Sequence, residues 1–387
     1  MKSRESRRAG LSLSGADDLD ERRGGGARDE TFARAVLRRG AAQLREAPVG
    51  RGGLWRKAIL IACWFVASYG ALLASPGMAA YLAASVSMGF AAAAIAFNVF
   101  HDANHGSFCR GRRLNLLIGV LSCASLGIGR HFWLRKHNVL HHSYPNVFEW
   151  DDDIETRGHL RFSPEQPWRR RYRSQYLYFL PLYALNSVEW IFIKDFVQYF
   201  RSRINPYQES PALTAHERAE FWLIKAAYGV AFMAIPLYFQ PFAVVAAGFV
   251  VFHVVMGLLL AVFTQLAHIN DRVAFPALGR APHADDWAAH QLRTTANFAT
   301  RNPLVNWFAG GLNFQIEHHL FPHLPHTRYP AISAMVREVA QKFGVPYLEY
   351  PTFGEAIAAH IRLLHRLSRP DEAPGIRPAS LRLGRST

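Results

Sequence analysis

From Ala58 to Phe100, and again from Ala226 to His268, the chain contains no Lys, Arg, Asp or Glu. Each run is long enough for two helices of about 20 residues crossing a bilayer, which no ordinary water-soluble core requires. Pro76-Gly77 and Gln240-Pro241 interrupt the runs near their middles, where proline's missing N–H and glycine's freedom favour a turn. The pattern therefore predicts an all-α integral membrane protein built on two helical hairpins. Its spans fall at about 58–75 with 78–100, and about 221–239 with 242–266.

The formal net charge is +15, yet neither hairpin turn carries a Lys or Arg. By the positive-inside rule the N-terminus, the 101–220 connection and the C-terminal region share the cytoplasmic side, as in a bacterial inner membrane. The basic residues flank spans and build no recognisable nucleic-acid module, so anionic lipid explains them better than nucleic acid does. Cys63, Cys109 and Cys123 form no CxxC pair, which argues against both a disulfide framework and a zinc ribbon.

Residues 1–50 read as an N-terminal tail. Its first 30 positions hold almost no large apolar side chain, a composition that cannot order itself. From Glu30 to Glu46, Phe32, Val36, Leu37 and Leu44 share a face among arginines, the pattern of a helix lying on the membrane surface. The membrane domain spans 51–367, and 368–387 reads as a disordered C-terminal tail. Leu114 to Ile128 is too short to cross comfortably and is expected to be re-entrant or interfacial. Tyr176 to Phe200 reads as one aromatic, amphipathic surface helix.

Three histidine clusters punctuate this framework: His101 with His105, His137 with His141 and His142, and His318 with His319. Spacings of four place His101 and His105, and likewise His137 and His141, on one helix face. The fourth span delivers His268 to the depth and side where the second delivers His101. Gln315 stands three and four residues before the last pair, within reach of the same metal or its water. Eight imidazoles and an amide exceed the needs of one zinc and suit two metal ions with open positions. Nitrogen-rich ligation favours redox-active iron. Ligating imidazoles usually give their second N–H to an acceptor, and the available acids include Asp102, Asp151, Asp153 and Glu317; Asp102, Asp153 and Glu317 are the chosen partners. Trp133, Trp150, Trp287 and Trp307 surround the clusters in sequence and are candidates for a substrate channel.

The segments His101-Asp102-Ala103-Asn104-His105, His137-Asn138-Val139-Leu140-His141-His142 and Gln315-Ile316-Glu317-His318-His319 resemble the three histidine boxes of the integral-membrane fatty acid desaturase superfamily. Those boxes read H-x(3,4)-H, H-x(2,3)-HH and [H/Q]-x-x-HH, and the likeness extends over roughly residues 95–350. Gln315 in the third box, Thr264-Gln265 with His268-Ile269, and the Asp286-Trp287 to Gln291-Leu292 segment are similar to the front-end subgroup. The resemblance implies four spans, a cytoplasmic helical cap, two iron ions, and O2-dependent removal of two hydrogens from an acyl chain. The acyl group would be carried on lipid, CoA or a carrier protein. Asn104 stands where the subgroup often has glycine. The His-Pro-Gly-Gly haem motif of fused cytochrome b5 domains is absent from the N-terminal region, so electrons are expected from a separate donor such as ferredoxin or cytochrome b5 with its reductase.

A hydroxylase on the same scaffold is the enzymatic rival, distinguished by its product. A metal transporter would need polar residues along its spans, and a zinc hydrolase would hold one zinc. His253 lies fifteen residues from His268, about 22 Å along a helix, too far for the same metals. It suits a neutral tie between helices or the far end of an acyl tunnel. His131 and His323 suit surface or capping positions, and His159, His216, His283, His290, His326, His360 and His365 are expected at the surface.

Overall fold

The computed structural model describes residues 30–46, 51–277 and 287–370. The expected tails at 1–29 and 371–387, with His283 and Asp286, lie outside the described residues. Among the described residues, four helices are long and apolar enough to cross a membrane: α2 (Gly52–Leu73), α3 (Met78–Asn104), α8 (Ala215–Phe239) and α9 (Phe242–His268). Their turns fall where the sequence places them. Three of the four begin or end several residues beyond the expected spans, and the extensions of α3 and α9 carry His101 and His268. Numbering includes α1 (Phe32–Glu46), which precedes them.

The hairpins join through α3 and α9. Ala91, Ala92, Ala93 and Ala94 are fully buried there, because small side chains let two backbones approach where lipid offers no hydrophobic gain. A Cβ on Gly89 would lie 2.7 Å from Val255 Cβ. Gly89→Leu is accordingly expected to destabilise the protein by about 1–3 kcal/mol through overpacking, read as a lowered Tm of the detergent-solubilised protein.

Between the hairpins, α4 (Arg112–Leu126) and α5 (Arg130–His141) meet at a bend of 110°, so the chain returns to the side it left, as a re-entrant segment does. Gly127 sits at the bend with φ +73°, and a Cβ there would lie 2.9 Å from the Tyr228 ring, a position only glycine fills without strain. Asp195 pins the turn from outside: its Oδ2 accepts from the Gly129 N–H at 2.7 Å and from Lys225 Nζ at 2.6 Å. Lys225 also donates to the carbonyls of Gly127 and Ile191. Lys225, on α8, is thus the tie that fixes the approach of α5.

The segment expected as one surface helix is two, α6 (Arg170–Ala184) and α7 (Asn186–Arg201), bent by 58°. Both pack on α9. Gly257 makes this possible, since a Cβ there would meet the Ala184 carbonyl at 2.6 Å. The capping box of α8, reciprocal bonds between Thr214 and Glu217, receives His131 Nδ1 on Glu217 at 2.9 Å.

The remaining chain forms a helical cap: α10 (Trp287–Thr294), α11 (Pro303–Ala309), α12 (Gln315–Leu320), α13 (Tyr329–Lys342) and α14 (Phe353–Leu367). A two-residue parallel pair, β1 (Asn297–Phe298) with β2 (Glu349–Tyr350), interrupts the otherwise helical fold. The apolar face of residues 30–46, expected to meet the membrane surface, packs against the cap. Phe32, Ala35 and Val36 of α1 bury against Leu320, Ile332 and Val336 of the cap, and Arg39 pairs with Glu338 at 2.8 Å. Its amphipathic stripe is covered by protein.

Candidate metal centre

All eight candidate histidines converge at the ends of α3, α5, α9 and α12. They form two groups, His101, His105, His137 and His318 in one, and His141, His268 and His319 in the other. Within each group, one nitrogen per imidazole lies within 4.8 Å of the others. His142 stands between the groups, its ring 4.6 Å from that of His318 and 4.5 Å from that of His319.

His101 and His105 meet across one helical turn as expected, with ring centroids 4.6 Å apart. His137 and His141 also meet, their rings stacked 5.2 Å apart and both within reach of Asp153 in a third group, although each joins a different all-histidine group. Leu134–His141 is π-helical, its closing bond running from His142 N to His137 O at 3.1 Å, and such a wider turn is a frequent feature of functional sites.

The N–H inventory determines which nitrogens are free for a cation. His318 Nδ1–H donates to the Tyr329 hydroxyl at 3.1 Å, and that hydroxyl donates onward to the Leu324 carbonyl at 3.1 Å. His319 Nδ1–H donates to Gln291 Oε1 at 2.7 Å, and His141 Nδ1–H to the Asp151 carboxylate at 3.0 Å. Their lone pairs are left on Nε2. The Nε2 atoms of His105, His142, His318 and His319 are buried without a partner in the protein, and those of His101 and His137 face one another at 3.2 Å. Burial, reinforced by the neighbouring imidazoles, holds His105, His142, His318 and His319 well below the usual histidine range. Neutral imidazoles with converging lone pairs fit divalent transition metals.

Gln315 belongs to the second group, its side-chain nitrogen 2.8 Å from His268 Nε2 and its Oε1 buried without a partner. Turning the amide over exchanges the two ends, so it can offer oxygen to a cation or N–H to water bound there.

The carboxylates divide differently from expectation. Asp102 lies 4.0 Å from His101 Nδ1 but bonds chiefly to His326, accepting from its ring at 2.8 Å and its backbone N–H at 3.1 Å. Asp153 lies 3.8 Å from His137 Nδ1, so it faces an imidazole as expected. Glu317 does not: Asn297 and Tyr347 donate to its two oxygens, each at 2.8 Å. Burial pushes its carboxyl up to about 7 in spite of both bonds. It braces α12 against β1 and the cap. The carboxylate that orients a site histidine most closely is Asp151, fully buried and also holding the Asn146 and Asp153 N–H groups.

Several histidines expected at the surface are buried. His326 is one; His360 donates from Nδ1 to the Ile269 carbonyl and accepts the Tyr183 hydroxyl at Nε2, and His290 is buried on α10. His159, His216, His323 and His365 are exposed, as expected. His253 is the tie between helices, bonded to Ser187 Oγ at 2.9 Å and Tyr228 OH at 3.0 Å.

A cavity of about 1100 Å³ opens beside both groups and touches His101, His137, His141, His268 and Gln315. Phe97, Phe100, Ile128 and Leu260 make its apolar wall, while Arg157, Arg201 and Arg203 lie toward the polar end. Trp133 lines it, stacked on His137 at 4.5 Å. Trp150 packs on Tyr144, Trp287 on the cap, and Trp307 beside Lys57, away from the lining. Trp190, unremarked in the sequence, lines it with Lys136 over its ring at 4.3 Å. Lys136 and Lys194 are held there by Asp153 and Asp152.

Paired imidazole clusters beside a cavity with an apolar wall, at the ends of helices long enough to cross a membrane, define a membrane protein with a metal-competent site. Residues 76–351 match the sequence profile described as fatty acid desaturase. The sn-1 linoleoyl-lipid 6-desaturase of Arthrospira platensis is 33% identical over 330 residues, 84% of this chain and 88% of the relative. The enzyme of the same description from Synechocystis sp. is 33% identical over 326 residues, covering 82% and 89%. The acyl-lipid (8-3)-desaturase of Physcomitrium patens is 33% identical over 311 residues, 79% of this chain and 64% of the relative. The chain belongs to the fatty acid desaturase family, integral-membrane oxidoreductases that desaturate acyl chains.

Proposed function

We propose that this protein introduces a double bond near the carboxyl end of an acyl chain carried on a membrane lipid, using two iron ions. The carrying observation is the pair of imidazole groups whose unpartnered nitrogens border the apolar cavity. His101, His105, His137 and His318 would hold one iron, His141, His268 and His319 the other, with His142 available to either and Gln315 beside the second. An unactivated methylene has no acidic proton, so the bound irons supply with O2 the oxidising power that side chains lack.

The chain's own residues contribute positioning. The apolar wall of Phe97, Phe100 and Leu260 receives the acyl chain and excludes water, and the lysines and arginines of the other end suit its polar head. Holding two adjacent carbons at the histidine-lined wall is enough to make the reaction selective. The relatives' names, which specify lipid-linked chains and 6- or (8-3)-desaturation, support the lipid carrier and the front-end position. Electrons come from a separate donor such as ferredoxin or cytochrome b5. The charge-free hairpin turns support a cytoplasmic site in a bacterial inner membrane.

The test is expression in a host of simple fatty acid composition, supplied with an active redox partner and a polyunsaturation precursor. Gas chromatography with double-bond derivatisation should show an acyl product lighter by two hydrogens. A product heavier by one oxygen would establish the hydroxylase, and unchanged lipids would overturn the reading.

A further inference from the structure

The site has a second connection to the surface, through residues that do not line the cavity. Asp102, beside the ligand candidate His101, accepts from His326, and His326 Nε2 lies 3.0 Å from Lys57 Nζ near the start of α2. The contacts from Lys57 to His101 therefore measure 3.0, 2.8 and 4.0 Å. None of Lys57, His326 and Asp102 borders the cavity. Lys57 also lies 5.6 Å from the half-exposed Trp307 ring.

The surface around this chain of contacts has one sign. Arg51 and Arg56 flank the start of α2, and Arg51 donates to the Ser107 carbonyl at 2.9 Å, which joins it to the loop before Arg110, Arg112 and Arg113. Residues 51–57, 106–113 and 326–328 include no Asp or Glu. Burial and the Arg51 guanidinium both lower the Arg328 value, so Arg328 adds a further positive charge within electrostatic reach of Arg51.

We propose that this basic face docks an acidic one-electron carrier protein, and that Lys57, His326 and Asp102 form the contact path by which its electrons reach the metal site. The inference rests on the reading that the enzyme uses a separate donor. Desaturation breaks two C–H bonds and forms one C=C bond; O2 takes two hydrogens from the chain, two electrons from two carrier molecules and two protons from solvent, giving two waters. Those electrons must enter while the acyl chain fills the cavity, and the basic face gives them a separate entrance. A lipid headgroup would match the charge but would have no use for the buried path. Opposite charge accelerates encounter and makes it salt-dependent.

The test uses iron-loaded protein in neutral-detergent micelles with two probes, a reduced [2Fe–2S] ferredoxin and reduced cytochrome b5. Carrier affinity is measured by titration, and carrier oxidation is followed anaerobically, with dithionite as the small reductant. Arg56→Glu/Arg112→Glu should weaken carrier binding and slow carrier oxidation at least tenfold at low salt, flatten the salt dependence, and leave the dithionite rate unchanged. His326→Ala should bind carrier normally but slow oxidation at saturating carrier, with iron content and ferric absorption spectrum retained. Equal carrier affinity and rates in the charge-reversed protein would overturn the proposal. So would loss only of binding to phosphatidylglycerol vesicles, which would make the face a lipid contact. If dithionite reduces the wild-type centre but neither carrier does, the separate-donor reading falls and the docking surface with it.

Discussion

His318→Ala is expected to remove iron from the protein and abolish turnover. Its Nε2 is buried in the four-histidine group and its Nδ1–H is committed to Tyr329, so alanine deletes both the ligand and the link that aims it. No described neighbour is placed to substitute: His101, His105 and His137 already face the same point, and His142 stands between the groups. Iron per chain, measured by plasma emission spectroscopy, should fall by at least half in a folded protein, with no desaturated product detectable. Full iron content together with wild-type product would refute the assignment of the site.

Asp151→Asn should be the most damaging substitution outside the ligands, lowering iron affinity or activity by about 10–100-fold. The Asp151 carboxylate accepts from His141 Nδ1 and from the backbone N–H groups of Asn146 and Asp153. Asparagine keeps the size but replaces one acceptor oxygen with a donor, so an N–H must face the imidazole or one of the backbone donors. It also removes the negative charge that raises ligand basicity. Because His141 belongs to the three-histidine group, iron should be lost from one site first. A titration with Fe(II) resolving one tight and one weak equivalent is the expected readout, whereas two unchanged equivalents would show that Asp151 has no role in aiming His141.

The parts of this molecule that could be read from its sequence are those governed by local rules. Uninterrupted apolar length predicts spans, and α2, α3, α8 and α9 follow it. Histidine spacing and the need to bring His101 and His268 to the same depth predict the ligand candidates, and all eight meet. What could not be read depends on partners distant in the chain. Tyr329 and Gln291 hold two of the site imidazoles from α13 and α10, and nothing in their own neighbourhoods marks them, although Gln291 falls in the segment that carries the front-end resemblance. His326 is expected at the surface because the carboxylate that it bonds lies more than 200 positions earlier. The amphipathic stripe of α1 showed that a face would be covered, but not whether lipid or protein would cover it. Four-residue spacing could not show that the turn holding His137 and His141 is wound more widely than an α-helix.

That widened turn makes the site sensitive to chain length. A π-helical segment carries one more residue per turn-closing bond than an α-helix does, so the distance from His137 to His141 and His142 is tied to that winding. Deleting Asn138, Val139 or Leu140 without rewinding would rotate everything after it by about 100° and shift it by about 1.5 Å along the axis. His141 and His142 would then leave their places while His137 kept its own, disturbing the site without changing any of its imidazoles. A library of single-residue deletions should therefore find Asn138–Leu140 among its least permissive stretches.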